Sequence, residues 1–93
     1  MTINEAMKKY SLPNPSTPED LETRWNKVLN FGDKVLLAGY FYNGIGKPCW
    51  FGAVYEYLED EETHDCESMI GLYAASEVEF EDAGHAIAWA MKQ

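Results

Sequence analysis

Apolar residues recur at helical spacing near both ends of the chain and run together through its middle. At the start, Ile3, Ala6, Met7 and Tyr10 fall at i, i+3, i+4 and i+7. Thr2 and Glu5 have capping-box spacing, so the pattern predicts a short helix over residues 2–10. A helix of about nine residues is marginal alone and needs a surface to dock on. Residues 11–16 (SLPNPS) break the period, because each proline removes an amide donor and restrains the residue before it. A second helix is predicted from Thr17 as N-cap, with Pro18 at the first helical position and Glu19 and Asp20 complementing the positive helix end. Its apolar stripe is Leu21, Trp25, Val28 and Leu29, and Gly32 is its expected stop.

The middle of the chain changes period. Residues 34–42 (KVLLAGYFY) and 49–58 (CWFGAVYEYL) read as two strands of a hairpin, joined by a turn that contains Asn43-Gly44 and Gly46. Alternation puts Val35, Leu37 and Phe41 on one face and Leu36, Ala38, Tyr40 and Tyr42 on the other. Both faces are apolar, so either helices cover both or one presents tyrosines to a partner. Residues 59–67 (EDEETHDCE) are too charged to pack and predict a solvated connection. Residues 69–75 (MIGLYAA) predict a third strand. Residues 76–81 alternate strictly, which predicts an edge strand with Val78 and Phe80 inward. Glu77, Glu79 and Glu81 would then project into water, about 6.6 Å apart. Asp82 can cap a last helix over residues 83–92, with Ala83, Ala86, Ile87, Ala90 and Met91 inward. The order α-α-β-β-β-(β)-α predicts one α+β domain over residues 1–93. Its antiparallel sheet has three or four strands, and its helices pack mainly on one face.

Composition agrees with a folded domain. Apolar residues make up 46% of the 93 and aromatics 14%, whereas a disordered acidic chain is poor in aromatics. No run of about 18 apolar residues could span a membrane, and the first residues lack the apolar core of a signal peptide. Two cysteines, Cys49 and Cys66, are too few for a disulfide framework, so the expectation is a cytoplasmic protein with reduced thiols.

Charge changes the picture most. Residues 48–91 contain no Lys or Arg but eleven acids, among them Glu56, Glu59, Asp60, Glu61, Glu62, Asp65, Glu67, Glu77, Glu79, Glu81 and Asp82. Residues 1–47 balance six basic residues against five acids, so nearly all of the net charge of −9 lies in the second half. A solvated loop and an edge strand guarded by like charges would account for part of this. Concentrating one sign nevertheless costs stability through self-repulsion, and it suits a surface that meets a basic partner. Nucleic acid and anionic membranes should be repelled; the basic groove of a nucleic-acid-binding protein should be attracted.

Candidate chemistry is sparse. His64, Asp65, Cys66 and Glu67 combine ligand types, but their spacing matches no structural zinc pattern and no EF-hand loop. A Cys–His pair could be drawn from Cys49, Cys66, His64 and His85, although Cys49 beside Trp50 reads as a structural thiol. The glycines of 43–48 precede a strand rather than a helix, so they do not form a phosphate loop. No cofactor and no catalytic residue is therefore expected. The aromatics offer a contact patch: Tyr40 and Tyr42 on the hairpin, and Trp89, one turn from His85 on the last helix.

These features predict a non-enzymatic interaction or inhibitor protein, a monomer or homodimer, that covers a basic surface of a larger protein, such as the nucleic-acid-binding surface of a nuclease. Its contact residues would be Glu59, Asp60, Glu61, Glu62, Asp65, Glu67, Glu77, Glu79, Glu81, Asp82, Trp89, Tyr40 and Tyr42. In size and charge it matches phage anti-defence inhibitors of the anti-CRISPR or anti-restriction type. An immunity protein or antitoxin would look the same. A metal- or thiol-dependent enzyme centred on residues 60–67 and a self-associating structural domain are the alternatives from other classes.

Overall fold

The computed structural model describes residues 2–22, 26–42, 48–58 and 69–93. Trp25 of the expected helical stripe, the turn at 43–47, the acidic segment 59–67 with His64 and Cys66, and the side chain of Tyr42 lie outside the described residues. In chain order the elements are α1 (Ile3–Tyr10), α2 (Pro18–Leu21), β1 (Lys27–Phe31), β2 (Lys34–Tyr42), β3 (Pro48–Tyr57), β4 (Ile70–Ala75) and α3 (Ala83–Met91). The four strands form one antiparallel sheet in the order β1-β2-β3-β4, an α+β fold. No helix among the described residues is long and apolar enough to cross a membrane.

The central pair β2–β3 is buried on both faces. Its register sets Val35 opposite Tyr55 and Leu37 opposite Ala53 on one face, with Leu36 opposite Val54 and Ala38 opposite Gly52 on the other. The first face carries the larger core, where Ala6 and Tyr10 of α1, Leu12 and Leu21 pack on Val35, Leu37, Phe51, Tyr55, Ile70 and Leu72. The second face is covered by α3, through Ala83, Ala86 and Ala90 on Ala38, Leu36 and Val54. The helices thus divide between the two faces instead of gathering mainly on one. A continuous apolar run such as Val35–Ala38 requires this, since either face left open would expose leucine.

α1 forms as its sequence predicts. Thr2 Oγ1 accepts the Glu5 amide at 3.1 Å, and the Glu5 carboxylate accepts the Thr2 amide, closing the capping box. Its last residue, Tyr10, stacks on Phe51 at 4.0 Å and meets Phe41 edge-on at 5.2 Å. The Phe51 ring lies where a side chain on its cross-strand neighbour Gly39 would stand. After α1, residues 13–16 run along the outer edge of β4. Ser16 and Ile70 exchange backbone hydrogen bonds of 2.8 and 2.7 Å, Asn14 Oδ1 accepts the Leu72 amide, and Tyr55 donates its hydroxyl to the Pro13 carbonyl.

Two expectations are corrected. The second helix stops after Leu21, and Val28 and Leu29 belong to a strand rather than to a helical stripe. Gly32, expected to end that helix, instead has φ of 63° in a two-residue turn, Gly32-Asp33, that pairs Phe31 with Lys34. Positive φ at the first central position is what a type II′ hairpin turn needs. The fourth strand is therefore β1, not residues 76–81. The latter also fail to form a ladder: Val78 is 57% exposed, and only Phe80 bridges, to Trp50. Ser76 bonds Gly52 and Phe80 bonds Trp50, so four residues of one chain span two of β3. Residues 77–79 are forced outward. On α3, Met91 is 45% exposed rather than inward.

The close approach of α3 to β3 depends on Gly52. A Cβ there would stand 2.7 Å from the Ala86 carbonyl oxygen and 2.7 Å from the Trp89 ring. Backbone cannot yield as a flexible side chain can, so Gly52→Ala should lift the helix and destabilise the fold by about 2 kcal/mol. Urea unfolding monitored by circular dichroism checks this; a loss below about 0.5 kcal/mol would contradict the close approach.

Candidate functional site

Ser76 decides where the acidic residues go. It is fully buried; its amide donates to the Gly52 carbonyl at 2.8 Å and its hydroxyl accepts the Gly52 amide at 3.0 Å. The Tyr10 hydroxyl donates to the Ser76 carbonyl at 2.9 Å, so every polar group of Ser76 is used. The chain is pinned here, and again where Phe80 and Trp50 exchange bonds of 2.7 and 2.9 Å. Between and just beyond the pins, Glu77, Glu79, Glu81 and Asp82 are all exposed. They crowd one end of the sheet, where β2 ends and β3 begins.

Aromatic rings lie among these acids. Trp50 and Phe80 pack with Ile87 on the alanines of α3 and Ala38, and Tyr40 meets Trp50 edge-on at 5.5 Å. Tyr40 is 37% exposed and lies level with the Trp50–Phe80 bridge, one strand away on β2. Trp89 is half-buried. It packs with Leu36, Val54 and Ala90 over Gly52, farther along α3 than the acidic cluster. Glu77, Glu79, Glu81 and Asp82 thus lie together along residues 77–82, Tyr40 stands on β2 beside Trp50, and Trp89 is set apart.

The other acidic run enters the fold elsewhere. Its flanking residues Leu58 and Met69 are joined by a 2.9 Å backbone bond at the far end of β3 from Trp50. Eight residues of strand separate those anchors from the Trp50–Phe80 bridge, roughly 26 Å at the rise of a strand. Residues 59–67 themselves, the other part of the expected ribbon, lie outside the described residues.

Asp82 works locally as well as electrostatically. Its carboxylate accepts the His85 amide at 2.8 Å as the N-cap of α3, and its other oxygen meets His85 Nδ1 at 2.7 Å. These bonds hold the Asp82 carboxyl below the ordinary aspartate range. Lys9, at the end of α1, lies 3.4 Å from Glu79 and forms an ion pair with it. Neither Ser76 nor Lys9 stood out in the sequence, since only the fold brings them to residues 76–82.

Burial, and then the Glu79 charge, push the Cys49 thiol up, and it donates to the Phe41 carbonyl at 3.2 Å. A protonated, buried thiol is a poor nucleophile. No three His, Cys, Asp or Glu side chains converge on a metal-binding point among the described residues.

A family described as nucleotide modification associated domain 4 matches residues 12–93, all of the chain except α1 and its cap. The chain belongs to this family. No curated protein and no solved structure matches it. Within this nucleotide modification associated domain, the matched residues include the whole sheet, the acidic segment and α3. α1 lies outside the match, yet it supplies Tyr10 to Ser76 and Lys9 to Glu79.

Two outcomes follow from this geometry. Asp82 has a depressed folded pKa, so its contribution is present above the ordinary carboxylate range, near pH 4, and is lost as pH falls through the folded value. Asp82→Ala should lower the melting temperature at pH 7, while Asp82→Asn should keep most of the cap and flatten the fall of stability below about pH 4. Thermal melts across that range check both. Trp89→Ala should cost about 2 kcal/mol of folding stability, roughly half the value for a fully buried tryptophan. A urea titration would show it, and an unchanged midpoint would free Trp89 for a purely binding role.

Proposed function

We infer that this domain is a non-catalytic binding module of a nucleotide-modification system. It lays the acidic end of its sheet over a basic surface of a larger protein. The observation that carries this reading is the clustering of Glu77, Glu79, Glu81 and Asp82, all exposed, around a pinned backbone. Like charges held this close repel one another, and an approaching basic surface relieves that repulsion. Tyr40, level with the Trp50–Phe80 bridge across the sheet, supplies a rigid aromatic contact at short range. The name of the family supports a partner that handles nucleotides or nucleic acid, whose substrate surface is basic. Covering that surface excludes nucleic acid, so the module acts as an inhibitor or as a gate on access.

The reading predicts binding that weakens steeply with ionic strength, mostly through a slower association rate. The immobilised domain, exposed to cell lysate at low salt, should retain a basic protein that duplex DNA displaces and high salt elutes. The triple variant Glu77→Lys, Glu79→Lys, Glu81→Lys should fold, because all three side chains are exposed, and should retain nothing. Capture of the same protein by wild type and triple variant would refute the assignment of this surface.

A further inference from the structure

The two edges of the sheet are treated differently. The outer edge of β4 is occupied by residues 13–16, and the start of β3 is bridged by Phe80. Among the described residues β1 has no such cover, and its outer edge makes no hydrogen bond. It also carries apolar side chains into solvent, with Leu29 44% and Phe31 45% exposed. Folded proteins usually guard an edge of this kind with charge, proline or a covering segment.

We propose that β1 pairs antiparallel with β1 of a second copy of this chain, joining two four-stranded sheets into one across a two-fold axis. The hydrogen-bonding pattern permits a specific register. In a two-residue hairpin the pair beside the turn, Phe31 and Lys34, exchanges bonds, so alternation directs Lys27, Leu29 and Phe31 inward to β2. The backbone groups of Val28 and Asn30 then point outward. With Leu29 on the axis, Val28 of one copy faces Asn30 of the other, and each such pair can exchange two bonds. Leu29 meets its own copy at the close, non-bonded spacing, and Lys27 lies beside the ring of Phe31 of the second copy. No like-charge pair falls across the seam.

Charge selects a second copy as the occupant. β1 (KVLNF) contains no acid in a chain of net charge −9, and the exposed cluster Glu77–Asp82 is pinned to β3, two strands away. This edge is where two such chains can meet with least repulsion. The α3 helices would lie on the same face of the joined sheet. Met91 and the groove of about 280 Å³ between the Phe31–Lys34 turn and the end of α3 would border the seam.

Sedimentation velocity of the full chain should give twice its 10.6 kDa mass at micromolar to millimolar concentration. Added salt should tighten the dimer by screening its net charge, the opposite sign to binding of a basic partner. Leu29→Lys places two ammonium groups on the axis and removes the buried leucine pair, raising the dissociation constant about a hundredfold or more. Asn30→Pro removes an outward amide at an edge position that tolerates proline, and should yield a folded monomer. Val78→Lys, at an exposed apolar residue elsewhere, should leave the mass unchanged. Amide exchange gives an independent readout: the Val28 and Asn30 amides should slow as protein concentration rises. A monomer at all concentrations, a dimer indifferent to both β1 variants, or concentration-independent exchange at Val28 and Asn30 would each overturn the proposal.

Discussion

Position 52 can hold no side chain, and most of the fold depends on that. Gly52 lies on β3, where α3 crosses the sheet, and the Ala86 carbonyl and Trp89 ring occupy the volume a methyl group would need. Its amide and carbonyl both go to Ser76, so the same residue that admits the helix anchors the chain leaving β4. The alanines Ala83, Ala86 and Ala90 complete the contact from the other side, letting a helix of nine residues settle close to the strands. A short helix gains little from its own hydrogen bonds, so close contact over its whole length is what keeps it folded.

The opposite face solves the same problem with large residues. Gly39 leaves room for the Phe51 ring, Tyr10 stacks on that ring, and the Tyr10 hydroxyl reaches through to Ser76. The two faces are thereby coupled: Ser76 receives Tyr10 from the α1 side and holds Gly52 beneath α3. A chain of 93 residues has little core to spare. Here the central strands β2 and β3 are buried twice over, and the edges are left to short strands and covering loops.

Much of this was legible in the sequence, and the failures have a common cause. The capping box of α1, the strands on either side of the 43–47 turn, strand β4 and the Asp82 cap all depend on neighbours close in sequence. Residues 27–31 were misread because Leu21, Trp25, Val28 and Leu29 fit a helical period. The competing signal was Gly32-Asp33, a two-residue turn between KVLNF and KVLLA, whose meaning depends on pairing with a strand still to come. Residues 76–81 alternate perfectly, yet Ser76 and Phe80 bond residues of β3 only two apart, and the period gives way to that constraint. Of the candidate site, the charge was legible and the grouping was not. One-dimensional counting could not bring Lys9 to Glu79 or Tyr40 to Trp50.

Charge and edge protection then become parts of one arrangement. Beside β3 and β4, surfaces that could pair with other chains are closed by residues 13–16 and by the bridge at Phe80, and the acids exposed at that bridge repel further copies. At β1 neither device is present among the described residues: its five residues include no acid, and its side chains facing the α3 side are a lysine and two apolar groups. An edge so different from the rest of the surface has a consequence for ionic strength. Salt weakens whatever the acids attract and relieves the repulsion that opposes approach at β1. Attraction of a basic partner and association of two copies therefore draw on the same net charge with opposite signs. A basic protein bound at the acidic end would itself lower the repulsion between copies and favour the joined sheet, coupling occupancy at one end of the domain to assembly along its free edge.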